Sequence, residues 1–307
     1  MYLIAAFYKF IRFHNPDAMR SALLAHAQSF KLTGTLLLAP EGINGTIAGE
    51  EAALRAFLRE TKAHSEIGDF EHKESWAASP PFRRLKVRLK REIVSMGAPN
   101  IVQPDTVGEY VSPEEWNKLL DNPDVAVVDT RNDYEVAIGS FPGAINPETT
   151  AFRDFPAWAD QEPQLQQAKA VAMYCTGGIR CEKSTAYLRS IGIKKVFHLE
   201  GGILKYLQLT PPEENRWEGH CFVFDDRVSV GSDLEPGPHA MCHGCRRPLT
   251  VSDKQSRAYI PGVSCPYCIA DLDHERAARL AERHKQVMRA QARGETHLKR
   301  DYRDDDR

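Results

Sequence analysis

Hydrophobic and polar positions in the first 95 residues alternate between the periods of strands and of helices. Tyr2 to Phe10 is an apolar, aromatic run typical of a strand. Asn15-Pro16 then supplies an N-cap and a proline at the first helical position, followed by apolar residues at helical spacing up to Phe30. Farther on, the pattern predicts a strand over 35–39, turns at Gly42 and Asn44-Gly45, a strand over 46–48, a helix around 53–58 and a strand over 85–89. This order predicts a ferredoxin-like (acylphosphatase-like) split βαβ domain over residues 1–95.

The pattern changes after residue 95. Proline and glycine are frequent and periodicity is absent over 96–113, which predicts a linker. Ser112, Pro113 and Glu115 then form a capping box at the start of a helix. Apolar strands are predicted over 125–128, 170–174 and 196–199, with a helix over 182–190 between the last two. This alternation predicts an α/β domain over 110–210, with a parallel sheet and helices on both faces.

The remaining chain, 211–307, is rich in proline, turn residues and cysteine. One strand is predicted there, over 221–230. From Asp271 onward, basic residues are interleaved with Asp and Glu, which predicts a solvated helix that ends in a charged tail. We therefore expect a small cysteine-rich C-terminal region.

Composition narrows the class of protein. Of the 307 residues, 42% are hydrophobic and 27% are charged, which is typical of globular domains and not of disordered chains. The formal charge of -2 means that a polyanionic partner must bind a local basic patch. No run of about 18 apolar residues and no signal-peptide pattern is found, so we expect no membrane partner and a cytoplasmic location. Seven cysteines, none before Cys175, favour thiol and metal chemistry in a reducing compartment over a disulfide framework.

The segment from Cys175 to Cys181 is the first candidate for chemistry. It lies between an apolar strand and a predicted helix, where α/β folds place their sites. Gly177 and Gly178 allow the loop to turn its backbone N–H groups inward, and Arg180 can add a positive charge. These features predict a thiolate at Cys175.

Two alternatives apply to this loop. Cys175 could instead be an unreactive buried thiol at the end of a strand. A phosphatase loop would have the spacing C-x5-R, but here the sixth residue after Cys175 is Cys181, and Arg180 comes one position early. The spacing therefore favours a site for sulfur or another small group over a site for a phosphate ester.

Four cysteines form a second candidate site. They occur as two C-x-x-C pairs separated by 19 residues that include turn-forming Pro248, Pro261 and Gly262, and the four are Cys242, Cys245, Cys265 and Cys268. This spacing predicts a structural zinc site of the knuckle or ribbon type, with no open position for water. Free surface thiols and a redox pair are the alternatives. His239 and His243 flank the site and are expected to be surface residues.

Basic residues alternate with apolar ones along the last strand of the first domain. Lys86, Arg88 and Lys90 are predicted to share one sheet face, while the three apolar residues 85, 87 and 89 face the core. Such a face attracts phosphate, although a merely solvated face has the same pattern. The sequence contains no G-x-G-x-x-G motif for a dinucleotide cofactor, and its other histidines form no ligand spacing.

A resemblance to a known family adds a function. The motifs that carry it are Asp129-Thr130-Arg131, Tyr134-Glu135, residues 139–146, the Cys175 loop and residues 199–203. Together they resemble a rhodanese domain over about 110–210. In that family the loop cysteine forms a persulfide, which by position corresponds to Cys175.

The string from Cys175 to Lys183, with residues 39–47 and 221–225, resembles a narrower group, the rhodanese-containing tRNA uridine(34) hydroxylases. That resemblance spans nearly the whole chain. It implies an oxidoreductase that 5-hydroxylates the wobble uridine in the tRNA anticodon, with molecular oxygen as co-substrate and an unidentified reductant. Cys181 is then either a resolving thiol or the persulfide carrier itself, and Gly177, Gly178 and Arg180 are expected to lie at the substrate.

Three functions are therefore kept open. A thiolate beside a second thiol can pass through a sulfenic acid and a disulfide, which suits hydroxylation. A persulfide on Cys175 would instead make the protein a sulfurtransferase. The third possibility is a non-catalytic zinc or RNA-binding scaffold with an inactive loop.

Overall fold

The computed structural model describes residues 1–293, and the expected charged tail lies outside the described residues. The chain forms two compact units. Within the described residues, the first contains 1–223 and 230–236, and the second contains 224–229 and 237–293. Both the first and second predicted domains fall in the first unit.

The N-terminal part of the first unit is one mixed sheet with two helices. Its elements are β1 (Tyr2–Phe10), α1 (Pro16–Ser29), β2 (Thr33–Ala39), β3 (Gly42–Gly49), α2 (Glu51–Ala63), β4 (His72–Ala77) and β5 (Leu85–Leu89). The strand order is β4-β1-β3-β2-β5, with β5 parallel to β2 and the other neighbours antiparallel. Asn15 caps α1 by accepting a hydrogen bond from the Ala18 N–H at 3.0 Å. The predicted ferredoxin-like order is confirmed with one strand added.

That added strand corrects the prediction. The fourth strand of the ferredoxin-like order is β4, which begins with four consecutive polar residues and therefore has no strand pattern. The predicted strand over 85–89 is a fifth strand at the opposite edge of the sheet. The predicted turn at Asn44-Gly45 is also wrong, because both residues pair inside β3. A Cβ atom at Gly45 would lie 2.8 Å from the Thr35 carbonyl oxygen, so glycine is required here for strand packing and not for a turn.

The core of this part lies between the sheet and its two helices. Alternate residues of β1 face it, and apolar residues of α1 and α2, such as Leu23 and Phe57, cover it. On β5, Val87 is buried and Leu85 packs against the core. Leu89, predicted to face the core, is 37% exposed because β5 ends there.

The rest of the first unit is a parallel α/β domain. Its elements are β6 (Glu109–Val111), α3 (Pro113–Leu120), β7 (Val125–Asp129), α4 (Asp133–Val136), β8 (Gly139–Ser140), a 3₁₀ turn (Phe152–Asp154), α5 (Phe155–Ala159), α6 (Pro163–Gln167), β9 (Ala170–Tyr174), α7 (Ile179–Ser190), β10 (Val196–Leu199) and α8 (Gly202–Leu209). The sheet order is β6-β10-β9-β7, and each pair is parallel. Ser112 and Glu115 form the predicted capping box of α3.

Helices cover both faces of this sheet, as predicted. Every residue of β9 is buried. Ala172 and Tyr174 pack on one face with Trp116 of α3, while Val171 and Met173 pack on the other face with α5 and α7. A strand buried on both faces reads as a continuous apolar run, which is why its bounds could be predicted from sequence.

The predicted strand over 221–230 is replaced by shorter pieces. The structure has β11 (Glu218–Gly219), β12 (Cys221–Phe222) and β13 (Ser229–Val230), with bends and a turn between the last two. Arg227 folds back to donate two hydrogen bonds to the Asp225 carboxylate, at 2.9 and 2.6 Å. This local ion pair closes the turn that interrupts the strand.

The second unit is built around the four paired cysteines and a long helix. It contains β14 (Ala240–Met241), β15 (Pro248–Leu249), α9 (Val251–Gln255) and α10 (His274–Ala292). The helix α10 corresponds to the charged helix predicted from Asp271. None of the helices in residues 1–293 is long and apolar enough to cross a bilayer.

Candidate active site and cysteine cluster

The thiol loop connects the buried strand β9 to the helix α7. Tyr174 ends β9, Cys175 opens the loop, and α7 begins at Ile179. Gly178 is the N-cap of α7 and has φ +99°, a conformation that favours glycine. The loop therefore lies at the carboxyl end of a parallel strand and at the positive end of a helix, as predicted.

The Cys175 thiol is buried but favours ionisation. Its Sγ accepts a hydrogen bond from the Gly178 N–H at 3.1 Å. Burial by itself would raise the pKa of Cys175, but a hydrogen bond from the Cys181 thiol, the charge of Arg180 and the N–H groups of Cys181 and Arg180 lower the pKa to about 6. A thiol with this pKa is mostly thiolate at neutral pH.

Cys181 is the protonated partner of this thiolate. Its side chain is fully buried on α7. Burial, reinforced by the thiolate of Cys175, raises the pKa of Cys181 well above its usual value. The two thiols therefore favour opposite protonation states, with Cys175 as the thiolate and Cys181 as the thiol.

Arg180 supplies charge from a fixed position. Its guanidinium donates two hydrogen bonds to the buried Glu135 carboxylate, at 2.8 and 2.7 Å. The bidentate pair holds a cation beside the loop without exposing it, because both side chains are buried. Arg180 therefore acts on the thiol through its charge, and its guanidinium plane is not exposed to stack on a base.

A second helix fixes the back of the loop. Two N–H groups in the first turn of α8, on Ile203 and Leu204, donate to the carbonyl oxygens of Cys175 and Thr176 at 2.9 and 3.1 Å. A Cβ atom at Gly202 would lie 2.8 Å from the Thr176 oxygen, so this close approach needs glycine. On the other side, a Cβ atom at Gly177 would meet no described atom within 4 Å. The loop is therefore open at Gly177.

Residues of both sheets surround the loop and the start of α7. Tyr8 of β1 donates to Glu182 at 2.7 Å, and Tyr110 of β6 donates to the same carboxylate at 2.8 and 2.9 Å. Burial raises the pKa of Glu182, and the two phenols offset part of that shift. Lys73 of β4 donates to the Gly177 carbonyl oxygen at 3.1 Å.

None of these four residues is predicted from the sequence as a member of the site. Lys73 and Tyr8 lie 104 and 174 positions from their partners on the loop and on α7. No spacing rule connects residues so far apart. The one available signal was the continuation of the loop string through Glu182.

The predicted basic strand lies away from the thiol loop. Arg88 and Lys90 are exposed and Lys86 is half-buried, all at or beside β5. The strand β5 is at the opposite edge of the sheet from β4, four strand spacings away. At about 4.8 Å per spacing, this is roughly 19 Å from the strand that carries Lys73. The predicted substrate-binding residues thus form two separate groups.

The four paired cysteines come together in the second unit. Their Sγ atoms all lie within 4.8 Å of one another. Three of the distances are 3.9 Å (Cys242 to Cys268), 3.6 Å (Cys245 to Cys265) and 3.7 Å (Cys265 to Cys268). A tetrahedron with Zn–S bonds of about 2.3 Å has edges of about 3.8 Å, so the four sulfurs fit zinc. His239 lies outside this group and contacts Ser229 at 2.8 Å.

Comparison with known proteins agrees with this architecture. Residues 2–93 match the family model of the UPF0176 acylphosphatase-like domain, and residues 112–209 match that of the rhodanese-like domain. The fold and the thiol loop thus define a rhodanese-domain protein with an acylphosphatase-like domain before it.

Full-length relatives identify the family within that class. Three proteins named tRNA uridine(34) hydroxylase are similar to this chain. The one from Jannaschia sp. (strain CCS1) is 52% identical over 298 residues, covering 97% of this chain and 99% of the relative. Those from Acaryochloris marina and Caulobacter vibrioides (strain NA1000 / CB15N) are each 50% identical, covering 97% of this chain and 96% of the relative. The chain belongs to the tRNA uridine(34) hydroxylase family.

Proposed function

We propose that this protein is an oxidoreductase that adds a hydroxyl group to C5 of uridine 34 in tRNA. The main support for this proposal is that relatives named tRNA uridine(34) hydroxylase are about 50% identical to this protein across 97% of the chain. The Cys175 thiolate with its protonated neighbour Cys181 is the reactive element. Molecular oxygen is the proposed co-substrate, and the anticodon region is the proposed part of the tRNA that approaches the loop.

The two thiols match the electron count of this reaction. Inserting one atom of O2 into a C–H bond and releasing the other as water requires two electrons and two protons. Oxidation of the Cys175 thiolate and the Cys181 thiol to a disulfide releases two electrons and one proton, and solvent supplies the second proton. An external thiol or dithiol would then reduce the disulfide for the next cycle. This dithiol cycle is the proposed role of the pair.

Mass analysis of tRNA nucleosides tests the function. A strain that lacks the gene should lose 5-hydroxyuridine and its derivatives at position 34, and the wild-type gene should restore them. Growth under ¹⁸O2 should place one heavy oxygen in the nucleoside. Unchanged nucleosides in the deletion strain, or an oxygen that comes from water, would exclude the proposal.

A sulfurtransferase activity is the second candidate. It is favoured by the match of residues 112–209 to the rhodanese-like domain. In that reaction Cys175 would take a sulfur atom from a donor and pass it to an acceptor. A ³⁵S-labelled donor that labels both the protein and tRNA would support this activity. Labelling of the protein alone would leave the persulfide as a resting form. If a double variant of Cys175 and Cys181 still modifies tRNA fully, the protein has neither activity in this loop.

The basic strand is the proposed contact for the tRNA backbone. Lys86, Arg88 and Lys90 each add one positive charge at or beside an edge strand. Replacing all three with glutamine should weaken tRNA binding. A plot of the logarithm of the tRNA binding constant against the logarithm of salt concentration should become less steep by about two to three, because up to three counterions are no longer released. Filter binding at several salt concentrations measures this.

A control triple variant carries the same change in charge elsewhere. Lys118, Lys169 and Arg216 are exposed on the α/β domain and form surface ion pairs. Replacing them with glutamine should leave the slope near its wild-type value. Equal slopes in the two triple variants would count against a specific basic strand.

The cysteine cluster is proposed to hold structural zinc. Four thiolates would close the coordination shell, so the metal would stabilise the second unit and take no part in hydroxylation. The purified protein should contain about one zinc per chain. Cys265→Ser should lower this to near zero, whereas Cys221→Ser, outside the cluster, should not change it. Equal metal content in both variants, measured by elemental analysis, would rule the site out.

All seven cysteines are free thiols in the structure. A reducing cytoplasm, where tRNA is found, is therefore the proposed location.

A further inference from the structure

One peptide group of the thiol loop is bound at both of its ends. The Gly178 N–H donates to Cys175 Sγ at 3.1 Å, and the carbonyl oxygen of the same peptide, on Gly177, accepts from Lys73 Nζ at 3.1 Å. We propose that Lys73 is a positioning residue that holds this peptide with its N–H directed at the Cys175 sulfur. The role rests on the proposed function, in which Cys175 reacts as a thiolate.

The chain by itself does not fix the orientation of this peptide. It joins two glycines, which have the widest choice of backbone angles, and Gly178 has φ +99°. Rotating the peptide would turn its carbonyl dipole toward the thiolate and remove the hydrogen bond from Gly178. A cation bonded to the carbonyl oxygen opposes that rotation, and it also polarises the N–H group at the other end.

The N-terminal sheet holds Lys73 in place for this contact. Lys73 on β4 pairs with Ala6 on β1, so Tyr8 is its diagonal neighbour on the same face. The Lys73 ammonium lies 5.1 Å from the centre of the Tyr8 ring. The Tyr8 hydroxyl is in turn bonded to Glu182 at 2.7 Å. Lys73 therefore approaches the loop from a strand that is paired with β1.

Tyr8 also restricts Gly178 directly. A Cβ atom at Gly178 would lie 2.9 Å from the Tyr8 hydroxyl oxygen. The same sheet thus contacts both residues of the peptide, Gly177 through Lys73 and Gly178 through Tyr8. Reactivity of the rhodanese-type loop is consequently linked to the N-terminal domain.

Several charged or titratable groups surround Cys175, and a test must separate Lys73 from them. They come from three elements: Arg180, Cys181 and Glu182 from α7, Tyr8 from β1 and Lys73 from β4. Lys205 of α8 is a second nearby cation, but its ammonium bonds to Glu200 at 2.5 Å and lies 3.6 Å from Glu71. It makes none of the described hydrogen bonds to the loop, so it serves as a control for charge alone.

The experiment measures the titration of the Cys175 thiol in the full-length protein. Thiolate absorbance near 240 nm is recorded against pH for Lys73→Gln, Lys73→Arg, Lys205→Gln and wild type. The same variants carrying Cys175→Ser provide the background to subtract. Lys73→Gln should raise the titration midpoint of the Cys175 thiol by about one pH unit. This shift lowers the fraction of Cys175 that is thiolate at pH 5.5 about eightfold. Lys73→Arg should stay near wild type, and Lys205→Gln should shift the midpoint less than Lys73→Gln.

Two results would overturn the proposal: an unchanged midpoint in Lys73→Gln, or an equal shift in Lys205→Gln. If Lys73→Gln does not fold, NMR of the wild type decides. The Lys73 side-chain nitrogen and the Gly178 amide should both titrate with the midpoint of the thiol, and the absence of either inflection would contradict the contact. None of these measurements depends on hydroxylation, so failure of the proposed function leaves them interpretable.

Discussion

Replacing Cys175 with serine should remove 5-hydroxyuridine 34 from tRNA to the level of a strain without the gene, a loss of ~100-fold or more. Serine keeps the size of the side chain but does not ionise near neutral pH, so the loop loses its thiolate. Wild-type Cys175 should react with an alkylating reagent with half-maximal rate at pH about 6. The rate should fall below that pH, because protonation removes the thiolate.

Two further cysteine variants sharpen this prediction. Cys181→Ser should also lose turnover if the dithiol cycle operates, but its Cys175 should still be alkylated as a thiolate, because a hydroxyl group can still donate to the sulfur. Cys221→Ser is the matched control, since burial raises the pKa of Cys221 to about 12 and the proposed cycle does not use it. Normal hydroxylation by Cys175→Ser, measured by nucleoside mass analysis, would show that the loop thiol is not required.

Replacing Lys183 with methionine should lower the free energy of unfolding by about 3–5 kcal/mol. The Lys183 ammonium is fully buried and lies 2.8 Å from the Glu41 carboxylate and 2.6 Å from that of Glu92. Methionine fills similar space but leaves the buried Glu41 without its counter-charge. Urea unfolding of the two proteins measures the difference.

Lys169→Met is the control for this effect. Lys169 forms an ion pair with Asp124 at 2.8 Å, but its side chain is 76% exposed, so water replaces the lost partner. This change should cost about 0–1 kcal/mol. If both variants lost the same stability, the buried position of Lys183 would not be the cause.

Local patterns predicted most of the fold. The bounds of β1, β9 and β10 and the caps of α1 and α3 follow from apolar runs and capping residues, which act over a few positions. β4 was missed because its residues are half-buried except the last, which weakens the apolar signal. Gly45 was misread as a turn because close packing of strands and turn formation both select glycine.

The candidate sites also have some features that the sequence predicts and others that it does not. The thiol loop and the two C-x-x-C pairs are continuous or short-spaced motifs, so their residues could be named from sequence. Two properties of the loop could not be predicted from the sequence. One is the protonated state of Cys181, which depends on burial beside Cys175. The other is the contact of Lys73 with Gly177, which joins two domains.

The order of residues alone determined the strand-loop-helix at Cys175, the two C-x-x-C pairs and the alternation of basic and apolar residues over 85–90. The tertiary structure decided which thiol is ionised and which groups surround it. Ionisation depends on distance and on exclusion of water, and both are set by packing between segments that are far apart in the chain.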